Sequence, residues 1–191
     1  MADKFQNKYR VPSARAQWWD YSAIGLYFIT ICIKNRENIL GNVNNGQVFL
    51  SDIGEIVNEE FEKSFKIRNE LFCEIYVIMP NHIHAILRIE NDETQRTVET
   101  HGRVETHGRA SLRQYGVAYR VPKSISSFVA GFKSVATSRI NQLRNSPGKT
   151  VWQPRFHDRI IRDHDAFLTI HKYILNNPSK WHEDTFFNPE Q

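Results

Sequence analysis

The sequence has 191 residues, of which 40% are hydrophobic and 24% charged, with 9 Gly, 7 Pro and 2 Cys. That length suits one domain with extensions and a core large enough to need no staples, and the composition excludes collagen-like, mucin-like and wholly disordered chains. The formal net charge is +4, too small to identify a partner by itself.

Residues 1–20 are polar and carry Arg10 and Arg15, so they are expected to form a basic N-terminal arm. The start, MADKFQNKYR, does not read as a signal peptide, and no apolar run approaches the ~20 residues of a membrane span. The expectation is a cytoplasmic protein. Residues 26–36, LYFITICIKNR, are rich in β-branched and aromatic types and predict a central strand. Cys32 and Cys73 each sit inside an apolar run and read as small buried hydrophobes, not as a disulfide or a zinc site. Asn45-Gly46 marks a hairpin or loop turn.

From Asp52 the apolar positions Ile53, Ile56, Val57, Phe61 and Phe65 recur mostly at three- and four-residue spacing. This predicts an amphipathic helix over 52–67, capped by Ser51. Two β-like runs follow in 73–90, around Met79-Pro80-Asn81. Proline cannot donate to a ladder, so it belongs in the connection. In the second run His82, His84, Ile86 and Arg88 share one side, and Ile83, Ala85, Leu87 and Ile89 the other. Residues 91–121 read as a polar insertion in which VETHGR occurs twice, at 98–103 and 104–109. Pro122 is expected to open a helix reaching about residue 143. A strand over 156–161 and a helix from about 163 to 176 complete the pattern, with Asp163 as its cap. Residues 179–191 form a tail.

The predicted order is strand, helix, strand, strand, helix, strand, helix. Its first six elements suit an α+β, ferredoxin-like β-α-β-β-α-β arrangement: an antiparallel sheet with helices on one face, followed by a C-terminal helix. The main domain is expected over 21–178.

Charge is unevenly spread. Residues 51–105 hold 12 acidic and 6 basic groups, whereas residues 110–157 hold 8 basic groups and no acidic one. A stretch of one sign creates a positive field suited to a phosphate backbone, or else a solubilising face that balances the acidic half. Arg120, Lys123 and Arg155 are its candidate phosphate contacts. Trp152 is read either as a stacking platform for an unpaired base or as a lid on the core.

His82 and His84 are two apart on a strand and therefore face one place, where neutral imidazoles can hold a divalent metal. Such a pair needs a further ligand, and Asn177, Asp163, Asp158, His157 and His171 are the candidates. Tyr173 and Asn177 are four apart on the last helix and share a face. A tyrosine hydroxyl beside a metal can attack a phosphodiester.

Three segments carry a resemblance. MPNHIHAIL, VWQPRFHDRIIR and YILNNPSKW, in this order, resemble the REP-associated tyrosine transposases, a branch of the HUH single-tyrosine transposases. The likeness spans roughly residues 20–90 and 122–184. It implies a ferredoxin-like fold and Mg²⁺- or Mn²⁺-dependent nicking and rejoining of single-stranded DNA near a hairpin. It also implies a tyrosine linked covalently to a 5′ phosphate. Carried over, His82 and His84 become metal ligands and Tyr173 the nucleophile. Asn177 stands where related enzymes place a glutamine that completes the metal site. The protein is expected to act as a monomer or a homodimer. Three alternatives are a replication-initiator or relaxase-like nicking enzyme, a hairpin-binding module without catalysis, and a metal-dependent hydrolase of small phosphate esters.

Overall fold

The structure, a computed structural model, describes residues 22–90 and 122–187. It is an α+β fold. Strands β1 (Gly25–Cys32), β4 (Leu71–Met79), β5 (His82–Ile89) and β6 (His157–Ile161) form one antiparallel sheet in the order β4-β5-β1-β6. Helices α1 (Asp52–Lys66) and α2 (Ile125–Leu143) cover one face of it, and α3 (His164–Asn176) lies on the other. A small hairpin, β2 (Gly41–Asn44) and β3 (Gln47–Leu50), is inserted between β1 and α1. Arg10, Arg15 and Arg120 lie outside the described residues, as does the repeated VETHGR segment.

Strand parity builds two unequal cores. Tyr27, Ile29 and Ile31 of β1, with Ile83, Ala85 and Leu87 of β5, point to the α1/α2 side and are buried. There they meet Phe61, Phe128 and Phe132, whose rings lie 5.3–6.2 Å apart. The alternate residues point to α3. Ile86, Ile161, Ile170 and Ile174 form a smaller buried cluster beneath that helix. Period-two alternation thus sends aliphatic residues to the large core and leaves the second face of β5 for the two histidines.

Caps and turns set the element limits. Ser51 accepts a hydrogen bond from Gly54 N at the start of α1, and Asp163 accepts one from Ala166 N at the start of α3. The two-residue turn Asn45-Gly46 has both residues at positive φ (50° and 73°), as a primed hairpin turn requires. Gly54 sits where α1 crosses the preceding loop. A Cβ there would stand 2.0 Å from Leu40 O.

Two boundaries differ from the sequence expectation by three residues or more. β1 ends at Cys32 instead of running to 36, because Asn35 and Arg36 are left-handed (φ 57° each) and the chain turns through a 3-10 segment, Lys34–Arg36. The long helix does not open at Pro122. Lys123 is left-handed (φ 55°), and α2 begins at Ile125 behind a reciprocal cap between Ser124 and Ser127.

Candidate functional site

β5 is an interior strand, with β4 on one side and β1 on the other. His82 lies opposite Cys32 and Met79, and His84 opposite Thr30 and Val77. Both imidazoles are buried and face α3, with ring centroids 4.4 Å apart. Each has its Nδ1 engaged: Thr30 Oγ1 lies 2.8 Å from His84 Nδ1, and Asn81 Oδ1 lies 2.9 Å from His82 Nδ1. Burial pushes His84 down to about 4 and holds His82 well below the ordinary imidazole range. Both rings are therefore neutral near pH 7 and able to offer a lone pair.

α3 brings Tyr173 to the same place. Its Oη is 3.1 Å from His84 Nε2 and 3.2 Å from Asp184 Oδ2, to which it donates. Its ring meets Phe28 edge-on, with centroids 6.2 Å apart, and the residue keeps 40% of its surface exposed. Burial, with the Asp184 carboxylate next, pushes its phenol up to about 12. Asn177 caps α3 one turn later and is 2% exposed. Its Nδ2 donates to Asp184 Oδ2 at 2.6 Å.

The tail after α3 folds back over the site. Pro178–Glu183 form a 3-10 segment that buries Trp181, and Asp184 follows. The Phe186 ring packs at a tilt against His82, with centroids 4.6 Å apart. Donor atoms of His82, His84 and Asp184 all lie within 4.8 Å of one another. Two buried atoms here have no hydrogen-bond partner, His82 Nε2 and Asn177 Oδ1. An unpaired imidazole nitrogen and an unpaired amide oxygen beside a carboxylate suit a divalent cation, and a buried polar atom left unpaired is otherwise costly.

Beside Tyr173 opens a cleft of about 380 Å³, lined by Thr169, Lys172, Asn176, Lys180, Glu183 and Asp184. Lys172 and Lys180 are exposed.

The fold brings His82, His84, Tyr173 and Asn177 together. Asp184, Asn81 and Thr30 join them and are absent from the sequence expectation. Of the other candidate ligands, Asp163 caps α3, His171 packs on Phe167, and Asp158 lies opposite Ile29 on β6; His157, exposed on β6, lies opposite Thr30 and so on the sheet face of His84, whose imidazole its charge helps to hold down. Lys123 and Arg155 are exposed residues in left-handed turns. Of the two readings of Trp152, the structure matches the lid on the core. It is 6% exposed and its ring lies 5.5 Å from Phe132, so its face belongs to the core.

No protein-family model matches the chain. An uncharacterized protein of Haemophilus influenzae (strain Rd) is 33% identical to it over 175 residues, 92% of each chain. The chain belongs to one family with that protein. A solved REP-associated tyrosine transposase, bound to a REP hairpin, superposes with a TM-score of 0.56 at 18% identity, over 87% of this chain and 74% of that one. The chain has the REP-associated tyrosine transposase fold. Within this transposase fold, the strand-borne histidines and the helix-borne tyrosine face each other across the second side of the sheet. Among the described residues no helix is long and apolar enough to cross a membrane.

Proposed function

We propose that the protein is a metal-dependent transposase that nicks and rejoins single-stranded DNA at or near hairpins through a 5′-phosphotyrosine. The observation that carries this reading is the approach of Tyr173 Oη to His84 Nε2, 3.1 Å, next to an imidazole nitrogen and an amide oxygen that lack partners. The shared fold with a transposase solved on a REP hairpin supports the same substrate class.

His82 and His84 would hold Mg²⁺ or Mn²⁺ through their Nε2 atoms, with Asp184 and Asn177 supplying oxygens. A bound cation would polarise the scissile phosphate and stabilise the leaving 3′ oxygen. Tyr173 Oη attacks phosphorus; the new Oη–P bond forms as the P–O3′ bond breaks. Asp184 Oδ2, 3.2 Å from Oη, can take the phenolic proton. The lost phosphodiester is conserved as a phosphotyrosine ester, so the reverse attack by a 3′ hydroxyl reseals DNA without a nucleotide cofactor. Lys172 and Lys180 flank the cleft beside Tyr173 and suit the backbone of the cut strand. Lys123 and Arg155, with Arg10, Arg15 and Arg120, are the further phosphate contacts of this reading.

The test is a labelled hairpin with a single-stranded flank, incubated with Mn²⁺ or Mg²⁺ and run on a denaturing gel. A protein–DNA adduct carrying the 5′ side, and a free 3′ hydroxyl on the other fragment, are expected. Binding without an adduct would mean a hairpin-binding module; hydrolysis to a free 5′ phosphate would mean a nuclease that activates water.

A further inference from the structure

Asn81 lies in the turn between β4 and β5 and is wholly buried. Its Nδ2 faces three oxygens: Arg36 O at 3.2 Å, Asn38 Oδ1 at 3.0 Å and Phe186 O at 2.9 Å. Two of these are backbone carbonyls and can only accept. The orientation of the amide is thereby fixed, since an oxygen turned toward them would face lone pairs with lone pairs. Asn81 Oδ1 must then be the atom 2.9 Å from His82 Nδ1. An amide oxygen also only accepts, so Nδ1 must carry the ring proton. In a neutral imidazole the other nitrogen is then bare. That nitrogen, Nε2, is the buried atom without a partner.

His84 is not held in the same way. Its Nδ1 meets the Thr30 hydroxyl, which can donate or accept, and its Nε2 meets the Tyr173 hydroxyl, which accepts from it while donating to Asp184 Oδ2 or rotates to donate to it instead. Hydrogen bonding alone commits His82 to one tautomer and leaves His84 two.

We propose that Asn81 is the positioning residue of the metal centre: it locks His82 in the Nδ1–H tautomer, so that Nε2 stands ready as a ligand before any cation arrives. The inference rests on the metal-dependent reading above and adds to it the residue that orients one ligand. Outer partners of this kind typically change metal affinity by roughly 10–100-fold when removed.

The experiment uses the full chain with ¹⁵N-labelled histidine, stripped of metal. Long-range ¹H–¹⁵N correlation spectra should show His82 as the Nδ1–H tautomer. Asn81→Ala should release that preference and weaken Mn²⁺ binding, followed by electron paramagnetic resonance, by roughly 10–100-fold. A wild-type His82 protonated at Nε2 would overturn the proposal. So would a folded Asn81→Ala protein with unaltered Mn²⁺ affinity. If Asn81→Ala fails to fold, the wild-type spectrum decides alone. Wild-type protein that shows the Nδ1–H tautomer yet binds no Mn²⁺ would instead end the metal reading, a failure distinct from that of the tautomer assignment.

Discussion

The phenolic oxygen of Tyr173 lies 3.1 Å from Nε2 of His84, although 89 positions separate the two residues in sequence. The contact joins the last helix to an interior strand, so it depends on the whole second face of the sheet. It also brings Asp184 within reach, through its Oδ2 at 3.2 Å from the same hydroxyl. A half-buried phenol beside a carboxylate is a poor nucleophile at rest: burial and then Asp184 push it up to about 12. In the proposed mechanism, cation and phosphate would therefore assemble around it before it reacts.

Tyr173→Phe removes only the hydroxyl. The ring can keep its edge contact with Phe28, and loss of the hydroxyl's hydrogen bonds should change stability by about 1 kcal/mol. The covalent adduct with hairpin DNA should vanish, while affinity for that DNA stays within about threefold. Undiminished cleavage by this variant would show that another group makes the attack.

The four candidate ligands should not be equivalent. His82→Ala and His84→Ala each delete a nitrogen donor and should abolish measurable Mn²⁺ binding. Asp184→Asn removes a charged oxygen donor and should weaken binding on the order of tenfold or more, whereas Asn177→Ala removes a neutral one and should cost less. The reverse ranking in Mn²⁺ titrations would make Asn177 the stronger donor.

Much of this site is legible in the sequence, and the remainder is not for a definite reason. His82 and His84 share a face because strand side chains alternate, and Tyr173 shares one with Asn177 because helix side chains return after four residues; both rules are local. Asp184 reaches the site only because the chain turns back through residues 178–183, and no residue spacing announces that turn. Thr30 reaches His84 through the β1–β5 register, a tertiary fact. Trp152 looked like either a stacking surface or a core residue, and the choice depended on Phe132 in α2. The misplaced ends near 36 and 122 both involve non-glycine residues in the left-handed region, which residue type does not announce.

Gly54→Ala tests the packing that holds α1 against the loop after β1. Alanine favours helices, so an exposed position would gain stability from this change. Here the added carbon would lie 2.0 Å from a backbone oxygen, Leu40 O, which has no rotamer to escape into. Destabilisation of about 2–3 kcal/mol is expected in chemical denaturation. A stabilised variant would mean that α1 and this loop separate easily.

Lys172 and Lys180 should reveal themselves through salt. Each lysine that meets a phosphate contributes close to one unit to the slope of log affinity against log salt, or about 0.7 for single strands. Lys172→Ala and Lys180→Ala should each lower that slope for a flanked hairpin and leave it unchanged for the bare hairpin. Adduct formation at saturating DNA should persist, because neither side chain touches the attacking oxygen among the described contacts. Equal slopes for wild type and both variants would remove the cleft from the path of the strand.

The buried imidazoles give metal-free protein a specific acid sensitivity. His84 takes a proton near pH 4 when folded, against 6.5 when free, and His82 shifts the same way. Between those values the unfolded chain binds more protons than the folded one, so stability must fall as pH drops from about 6.5 toward 4 and level off below. For His84 the loss is on the order of 3 kcal/mol. Mn²⁺ affinity of the folded protein should instead stay flat from pH 8 to about 5 and fall only as pH nears 4, because neither ring holds a proton above that to be displaced. Urea denaturation of chelated protein at pH 7, 5.5 and 4.5 checks the first effect. His84→Gln, which cannot titrate, should show a shallower fall; an equal fall in both proteins would place the acid sensitivity outside His84.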